Sequence, residues 1–542
     1  MSKRDTEGFD CDVIIAGAGP VGLTLAIDLG RRGIGCVVLE RNSGPTPWPK
    51  MDRTNARSME MFRRIGLADR IRARGYPADN PMDVLLVRRL CDPPLAVLPF
   101  PSVAEARRRI AACRDGSLPL EPYQLVSQND LEPLLREAAD ELPAVSLRDS
   151  SELLSLTQDE NGVTAEVADA AGGGSHHVHG RYLIGCDGGR STVRRALGIG
   201  LEGQGGLREL RQVVFGSRDL YAKIRAGKGR HYNFAEPNGS MIIAQGSRRE
   251  FSLHTNLPAD TDFVPVLRDL IGFDCEIEIR HLLTWRYNLL VAERYRLGRV
   301  LLAGDSAHLV IPTGGLGMNT GVGDAFDLSW KLAGTLAGWG GPGLLDAYEA
   351  ERRPVAMFNR DAAGWAAEGV PLWRRYVTPE AVQDGPEQAA LIEAFCTCHS
   401  RMHNMVGAEW AYSYAGSPLI ADEPGNAPVW ETSRYEPHAR PGVRLPHMWL
   451  RDGRPIQDVA GDGYTLLDLG GAEGGSGAAT LADAFAALGA PLGVLRLDDP
   501  DLRAVYGRRL LLLRPDLHIA WRGERMPDDP LALARRVTGH RS

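Results

Sequence analysis

The sequence predicts an α/β protein of several domains, built on a Rossmann-like dinucleotide-binding domain. Three observations support this class. The chain has 542 residues, which is too long for one ordinary hydrophobic core. A β-branched apolar run near its start ends in Gly17-x-Gly19-x-x-Gly22 and continues into a helical pattern. Residues 210–290 alternate as β-strands without a nucleotide-binding pattern, which predicts a mostly β domain inserted into the first.

Each glycine of the first turn has a separate physical task. Gly17 makes the tight turn, Gly19 lets the backbone approach a pyrophosphate, and Gly22 lets the helix pack on the strand. The phosphates then lie at the helix N-terminus, beside Pro20 and Val21, where free N–H groups favour negative charge.

A second apolar run, residues 36–39, ends in Glu40 and Arg41. An acidic side chain therefore arrives about 20 residues after the glycine turn, where a ribose diol needs an acceptor. A plain glycine-rich crossover is the alternative interpretation, and Glu40 argues against it. The sequence thus predicts an adenine dinucleotide site.

Composition and charge argue against a nucleic-acid-binding, secreted or membrane-spanning protein. The formal net charge of −7 offers no basic surface for nucleic acid. Eight cysteines follow no paired framework, which is typical of reduced cytoplasmic proteins. The polar N-terminus fits no secretory signal, and glycines interrupt the most apolar segment, residues 13–29, so no membrane span is expected. Three histidines at 176, 177 and 179 indicate a surface turn, not a metal site. A cytoplasmic enzyme is the expectation.

Two further strand–turn elements follow the first. One contains Asp187 and Gly188, and the other contains Gly304 and Asp305 and leads into a glycine-rich loop. A ligand held by all three turns must be long, with a central pyrophosphate and a polyol. FAD fits this description, because Asp305 could accept hydrogen bonds from ribityl hydroxyls. The loop could bring backbone N–H groups to the pyrimidine edge of the flavin through Pro312, Gly315, Gly317, Met318 and Asn319.

Taken together, these motifs resemble the three fingerprints of the single-component (class A) FAD-dependent aromatic hydroxylases, which include p-hydroxybenzoate hydroxylase and phenol hydroxylase. The resemblance covers residues 10–365 in order. Near the C-terminus, Arg514-Pro-Asp516 and residues 518–523 resemble the cysteine-free thioredoxin-like domain of phenol and polyketide hydroxylases. The implied organisation is an FAD-binding domain (9–75, 121–200 and 291–375), a substrate-binding β domain (76–120 and 201–290), a helical segment with linker (376–440), and a thioredoxin-like domain (441–542).

The resemblance also implies a reaction cycle. NADPH or NADH docks transiently and reduces non-covalently bound FAD, O2 adds to give a C4a-hydroperoxide, and its distal oxygen attacks an electron-rich ring. A small aromatic substrate and O2 are the expected partners, and a homodimer is left open. In this family Glu40 would bind the adenosine ribose, Asp305 the ribityl chain, and Asp187 with Gly188 both dinucleotides. Arg57 and Gln128 would hold the pyrophosphate region.

Asp52 is the predicted catalytic residue. It precedes Arg57 by five positions, which matches an aspartate of phenol hydroxylases. A carboxylate there could take or hold the phenol proton and raise ring electron density at the ortho carbon. The alternative is that Asp52 caps the following helix with Thr54 and Asn55.

For five other polar or aromatic residues the sequence predicts structural roles or a solvent- or phosphate-facing charge. Arg53 is expected to be solvated or to face phosphate, and His308 to make a structural hydrogen bond. Core packing is expected for Tyr232, His254 and Trp285.

Three functions therefore compete. The first is hydroxylation of a phenol ortho to its hydroxyl, with FAD, NAD(P)H and O2. The second keeps the flavin but predicts Baeyer–Villiger oxidation or epoxidation of an aromatic polyketide. The third is a flavin-binding module with little turnover.

Overall fold

The computed structural model describes residues 8–169, 173–245, 249–383, 385–425, 429–470 and 476–540. Within these ranges the strands are, in chain order, β1 (Cys11–Ala16), β2 (Cys36–Leu39), β3 (Arg53–Thr54), β4 (Val84–Val87), β5 (Ala96–Leu98), β6 (Gln124–Leu125), β7 (Val145–Arg148), β8 (Ser151–Gln158), β9 (Val163–Asp169), β10 (Ser175–Gly185), β11 (Leu201–Gln204), β12 (Glu209–Gly216), β13 (His231–Phe234), β14 (Met241–Ala244), β15 (Glu250–Thr255), β16 (Glu278–Arg286), β17 (Leu289–Ala292), β18 (Arg296–Leu297), β19 (Val300–Leu302), β20 (His308–Leu309), β21 (Tyr464–Asp468), β22 (Leu492–Arg496), β23 (Leu510–Leu513) and β24 (Ile519–Gly523).

The helices of the same ranges are α1 (Pro20–Arg31), α2 (Ala56–Arg64), α3 (Ala68–Arg74), α4 (Val103–Ala112), α5 (Gln128–Asp140), α6 (Thr192–Ala196), α7 (Leu220–Lys223), α8 (Phe263–Ile271), α9 (Gly317–Leu336), α10 (Gly343–Arg374), α11 (Pro379–Val382), α12 (Pro386–His399), α13 (Val406–Trp410), α14 (Ile456–Val459), α15 (Ser476–Ala487), α16 (Pro500–Tyr506) and α17 (Pro530–Val537). Short 3-10 turns occur at Gly304–Ser306 and Ser400–Met402. No helix in the described part of the chain is long and apolar enough to cross a membrane.

A mainly parallel sheet forms the first domain. Its strand order is β18-β19-β10-β1-β2-β7, and the hairpin β8–β9 extends it alongside β10. Strands β1, β2, β7, β10 and β19 run parallel, and the apolar side chains of β1, β2 and β19 are buried, as expected for strands covered on both faces of the sheet. Helices α1, α5 and α9 pack together beside it. Because the carboxyl ends of β1, β10 and β19 meet at one edge, the three predicted turns come together there.

A second sheet of seven strands forms the inserted domain, in the order β16-β12-β15-β14-β13-β4-β5. It combines two stretches of chain, residues 84–98 and 209–286, and its core contains stacked Phe215 and Phe251. A small sheet, β11-β17-β20, joins it to the first domain. The predicted α/β class with a mostly β insertion is confirmed.

The C-terminal domain has a four-stranded sheet in the order β22-β21-β23-β24, with β21 parallel to β22 and the other pairs antiparallel. Helices α15 and α17 pack together. Arg514 follows β23 and reaches α9 and α10 of the first domain, where it pairs with Asp327 and Glu351. The domain limits given by the sequence stay predictions.

Two helices begin within segments that the sequence predicts to contact the cofactor. Helix α9 begins at Gly317, so the end of the glycine-rich loop is already helical. Helix α5 begins at Gln128, directly after Ser127. Both starts place residues predicted to contact the cofactor in a first helical turn, where backbone N–H groups are free of helical partners.

Candidate active site

One large cleft lies between the first domain and the β domain, with a volume of about 1180 Å³. The glycine turn after β1, the segment after β2, the turn after β10 and the loop before α9 form one side. Strands β12 to β16 and the end of α10 form the other side. The cleft exceeds the roughly 300–1,000 Å³ of an ordinary small-molecule pocket, which suits a site for both a cofactor and a substrate.

The glycine turn has the shape that a pyrophosphate requires. Gly17 has φ +105°, and a Cβ on it would overlap the carbonyl oxygen of Cys186 in the neighbouring turn. A Cβ on Gly22 would overlap the carbonyl oxygen of Gly17. A Cβ on Gly19 would meet nothing within 4 Å, because this residue faces the open cleft. Gly17 and Gly22 thus allow close packing, whereas Gly19 leaves open space in the cleft, and its predicted approach to a pyrophosphate stays a prediction.

This contrast gives a matched pair of variants. Gly19→Ala should leave folding and the melting temperature of the FAD-free protein unchanged, but it should abolish FAD retention, because the added methyl occupies ligand space. Gly22→Ala should impair folding itself, because its methyl meets backbone. Circular dichroism and flavin content after gel filtration measure both effects. Normal FAD retention by Gly19→Ala would contradict the assignment.

Glu40 ties the glycine turn to the segment after β2. Its Oε2 accepts a hydrogen bond from the Ala18 N–H at 2.9 Å, and its Oε1 accepts from the Asn42 backbone N–H at 2.9 Å. The Asn42 side chain also donates to Oε1, at 2.6 Å. The carboxylate lines the cleft together with exposed Arg41. Glu40 therefore shapes the end of the cleft at which the sequence places the adenosine ribose.

Asp187 holds two of the three turns together. Its Oδ1 accepts from the Ser191 hydroxyl at 2.6 Å and from the Ser306 hydroxyl at 3.0 Å. Its Oδ2 accepts from the Thr192 N–H at 2.6 Å, at the start of α6. Gly188 has φ +80° and faces open space. The Asp187 carboxylate therefore mainly accepts hydrogen bonds from the protein itself. The backbone of Gly188, next to it, faces the open cleft.

Asp305 presents a carboxylate to the middle of the cleft. The side chain is exposed toward this space, and no donor within the described ranges is assigned to it. Desolvation by the surrounding protein raises the pKa of the carboxyl group, and the charges of His308 and Lys50 oppose that effect. An acceptor without a protein partner in a polar cleft is suited to bind the hydroxyls of a polyol.

Asp305→Ala should therefore weaken FAD binding, by about 1–3 kcal/mol, because hydroxyls that FAD buries against this side chain would lose their acceptor. Asp269→Ala removes an exposed carboxylate of the β domain and serves as the control. Fluorescence titration of the FAD-free proteins with FAD measures both dissociation constants. Equal affinity in the two variants would remove Asp305 from the cofactor site.

A buried charged group supports the Gly304–Asp305 turn from behind. Asp324 on α9 pairs with His308 at 2.8 Å and with Arg352 at 2.8 Å, and it accepts from the Gly304 N–H at 3.1 Å. Burial alone would raise the pKa of Asp324, but the Arg352 guanidinium and the hydrogen bond from His308 lower it below its usual value. His308 thus makes the structural hydrogen bond expected from the sequence. Asp324 and Arg352 were not predicted.

The glycine-rich loop is fastened by Asn319. The side-chain Oδ1 accepts from the Asn55 N–H at 2.9 Å, and Nδ2 donates to the carbonyl oxygens of Arg53 at 2.9 Å and Gly315 at 2.6 Å. Asn319 therefore lies beneath the cleft surface and positions the loop. Backbone of the loop forms the surface itself, through Pro312, Gly314, Gly315, Gly317 and Met318.

Asp52 lies in the cleft and does not cap the following helix. Asn55 is the cap of α2, since its Oδ1 accepts from the Ser58 N–H at 2.9 Å. The Asp52 carboxylate instead pairs with Arg230 of the β domain at 2.7 Å. The helix-cap alternative for Asp52 is wrong. Its carboxylate lies where a ligand spanning the two domains would pass.

The structure does not bring Arg57 to the cleft, which corrects the predicted pyrophosphate contact. Arg57 points to the other side of α2, pairs with Glu60 at 3.3 Å and donates to the Asp516 carbonyl oxygen at 3.2 Å. Arg53 does line the cleft, but it is neither solvated nor free. It pairs with buried Glu409 at 2.6 Å. Gln128 lines the cleft, and its contact with the pyrophosphate stays a prediction.

Several cleft residues were missed or misjudged. His254 and Trp285, expected in the core, line the cleft, whereas Tyr232 is buried as expected. His399 and His403 come from the segment predicted as helix and linker. Burial lowers the pKa of His254 to about 4 and that of His399 to about 3, so these imidazoles are neutral at physiological pH. No local spacing marks His399 and His403 as neighbours of the β domain.

The arrangement fits FAD followed by an aromatic substrate. Open space at Gly19, Gly188 and Gly317, the acceptor at Asp305 and the exposed backbone of the loop form a continuous path along one side. Beyond the loop, Asp52 faces polar side chains of the β domain. When bound, FAD would supply redox and oxygen-transfer chemistry that the side chains lack.

Comparison with known proteins finds a family match for the N-terminal two thirds of the chain and another for its C-terminal domain. Residues 10–363 match the family model described as FAD binding domain, and residues 438–540 match the one described as Aromatic-ring hydroxylase, C-terminal. A relative in Emericella nidulans, FAD-dependent monooxygenase apdD, is 33% identical and aligns with 94% of this chain and 87% of that protein.

Solved structures of similar proteins superpose on nearly the whole of this chain. RebC soaked with chromopyrrolic acid, with bound 7-carboxy-K252c, has a TM-score of 0.89 at 34% identity, covering 98% of this chain and 99% of that one. The ternary complex of aklavinone-11 hydroxylase with FAD and aklavinone has a TM-score of 0.82 at 28% identity, with the same coverages. The site geometry, the family matches and these relatives agree that the protein is an FAD-dependent monooxygenase that belongs to the single-component aromatic-ring hydroxylase family.

Proposed function

We propose that this enzyme hydroxylates a phenolic aromatic substrate at the carbon ortho to its hydroxyl, with NAD(P)H and O2 as cosubstrates. The observation that carries the proposal is the position of Asp52. Its carboxylate lies in the same cleft as the glycine-rich loop, does not cap α2, and is paired with Arg230 of the β domain. The family description, aromatic-ring hydroxylase, supports a ring as the target.

In this proposal the protein side chains position the substrate and accept the proton of its phenol group. FAD held along the side of the cleft formed by Gly19, Asp305 and the glycine-rich loop would supply the redox chemistry that activates O2 after reduction by NAD(P)H. Asp52 accepts or holds the phenol proton, which raises electron density at the ortho carbon. Arg230, 2.7 Å from Asp52, holds that carboxylate toward the β domain. Neutral His254 and Trp285 offer the ring polar and aromatic contacts.

The test is NAD(P)H oxidation by the FAD-loaded enzyme, with a panel of phenols and aromatic polyketides, together with product analysis. We expect substrate-stimulated consumption and a catechol-type product. A lactone or an epoxide would favour the second function predicted from the sequence. No stimulation by any compound would favour a binding module and contradict the proposal.

A further inference from the structure

The segment that carries Asp52 is bonded to both domains. On the first domain, the Met51 carbonyl oxygen accepts from the Gln128 N–H at 2.9 Å. The Asp52 carbonyl oxygen accepts from the Val126 N–H at 2.8 Å. On the β domain, the Asp52 carboxylate pairs with Arg230 at 2.7 Å. Different domains therefore hold the backbone and the side chain of Asp52, so the position of its carboxylate depends on how the segment is attached to the β domain.

Gln212 of β12 is a buried polar residue that lines the cleft. Its neighbour Val213 lies in the core of the β domain, so alternation along the strand turns Gln212 to the opposite face. Gln212 Nε2 donates to the Pro49 carbonyl oxygen at 3.0 Å. Its Oε1 accepts from the Trp285 indole N–H at 2.6 Å. Gln212 thus joins the chain just before Asp52 to the neighbouring strand β16.

These two hydrogen bonds require the residue type found at position 212. An indole N–H can only donate and a carbonyl oxygen can only accept, so Trp285 needs the amide oxygen and Pro49 needs the amide nitrogen. Glutamate would keep the acceptor for Trp285 but would present an oxygen to the Pro49 carbonyl. Methionine has a similar shape, offers no N–H and is only a weak acceptor. Replacement by glutamate therefore removes the Pro49 bond alone, and replacement by methionine removes both.

An aromatic contact attaches the same part of the chain to the same sheet. The Trp48 ring stacks on His281 of β16, with ring centroids 4.1 Å apart and planes inclined by 14°. His281 and Trp285 are separated by an even number of positions along the strand, so their side chains point to one face of the sheet. Trp48 and Pro49 therefore contact the face of the β domain that lines the cleft.

We propose that Gln212 is a positioning residue for Asp52: it holds Pro49 on the β domain, so that the Asp52 carboxylate stays paired with Arg230 and faces the substrate. Only two residues separate Pro49 from Asp52, and the Asp52 carbonyl oxygen is already bonded to the first domain. Fixing Pro49 therefore leaves the Asp52 side chain little freedom. The inference rests on the proposed function for the role of Asp52 in proton transfer.

Gln212→Met and Gln212→Glu should each lower single-turnover hydroxylation of a stimulating phenol by roughly ten- to hundredfold. The reason is that a displacement of about 1 Å takes the carboxylate out of alignment with the reacting group. FAD content and the rate of FAD reduction by NAD(P)H should stay at the wild-type values. Gln457→Met is the matched control, because Gln457 is a buried glutamine of α14 that bonds to His447 in the C-terminal domain, at 2.9 Å. It should keep the wild-type yield.

A second comparison introduces Gln212→Met into the Asp52→Asn protein. If Gln212 acts through Asp52, this change should alter the remaining rate by less than about twofold, because the effects of coupled residues are not additive. Full additivity of the two losses, or wild-type hydroxylation by both Gln212 variants, would overturn the inference. A wild-type rate in Asp52→Asn alone would contradict the proposed function instead.

Hydrogen–deuterium exchange of the FAD-loaded proteins tests the attachment without turnover, so it is independent of the role of Asp52. Peptides that cover residues 48–55 should exchange faster in both Gln212 variants than in the wild-type protein or Gln457→Met. Equal acceleration in Gln212→Met and Gln212→Glu would identify the Pro49 bond as the one that holds the segment. Wild-type exchange in both variants, or acceleration confined to Gln212→Met, would show that Gln212 does not hold Pro49 and would overturn the inference.

Discussion

Asp52→Asn should reduce single-turnover hydroxylation by roughly 10²- to 10⁴-fold, the usual scale for loss of a general base. The substitution preserves shape and retains a partner for Arg230, and the cap of α2 is unaffected because Asn55 supplies it. Folding, FAD content and reduction by NAD(P)H should therefore survive. The large loss should be confined to the step in which the ring receives oxygen.

The measurement begins with anaerobically reduced Asp52→Asn, to which O2 and saturating substrate are added together. Product and H2O2 are then quantified against the wild-type protein, with substrate occupancy confirmed by equilibrium binding. We expect little ring product and nearly stoichiometric H2O2. Glu152→Gln, another carboxylate that lines the cleft, is the matched control and should keep the wild-type yield. Wild-type product formation by Asp52→Asn, with unchanged pH dependence, would show that the base lies elsewhere.

Arg514→Met should destabilise the whole protein by about 3–5 kcal/mol, the usual cost of removing one partner from a buried ion pair. Arg514 is fully buried between the C-terminal domain and the first domain. It pairs with Glu351 at 2.6 Å, Asp327 at 3.0 Å and Asp516 at 2.6 Å. Without it, Lys331 is left as the cation that pairs with Asp327 and Glu351.

The stability lost in Arg514→Met should increase with pH. Burial raises the pKa of Asp327 to about 7, so the folded protein binds a proton that the unfolded chain has already released. The stability from this proton is present at lower pH and is lost as the pH rises through about 7. Removing the Arg514 cation favours the protonated carboxyl group further. Denaturant unfolding of Arg514→Met should therefore show a larger deficit above pH 7 than below it.

Arg503→Met is the control, since its guanidinium forms an exposed pair with Glu524 in the same C-terminal domain. It should change the free energy of unfolding by less than about 1 kcal/mol. A chain ending near Gly425 removes Arg514 altogether, so we expect it to keep the cleft residues but lose solubility. Equal stability of Arg514→Met and Arg503→Met would show that the buried ion pairs do not hold the domains together.

The cofactor side of the cleft was predictable because its signals are local. Each of the three turns follows a buried strand within a few residues, and parallel strands bring such turns to one edge. The roles predicted for the glycines follow from the absence of a Cβ, which can be recognised from the residue type alone. The catalytic assignment of Asp52 remains a prediction, although the cap role of Asn55 removes its main alternative.

The substrate side was not predictable in the same way. Asp52 meets Arg230, and Arg53 meets Glu409, only after separate domains pack together. Arg57 was assigned to the pyrophosphate because helix spacing does not reveal which face a neighbouring domain covers. The C-terminal domain covers that face and provides the Asp516 carbonyl oxygen. Local patterns thus predict which turns line the cofactor side of the cleft, whereas the contacts of the substrate side depend on how the domains pack.

The most direct test of the central claim follows the oxygen atom. The FAD-loaded enzyme is supplied with NAD(P)H, a phenol that stimulates its oxidation, and O2 labelled with oxygen-18, and the product is analysed by mass spectrometry. The account predicts one labelled oxygen on the ring carbon ortho to the original hydroxyl, and a loss of that product in Asp52→Asn. A ring oxygen derived from water, or label found only in H2O2 while the substrate is recovered unchanged, would contradict it.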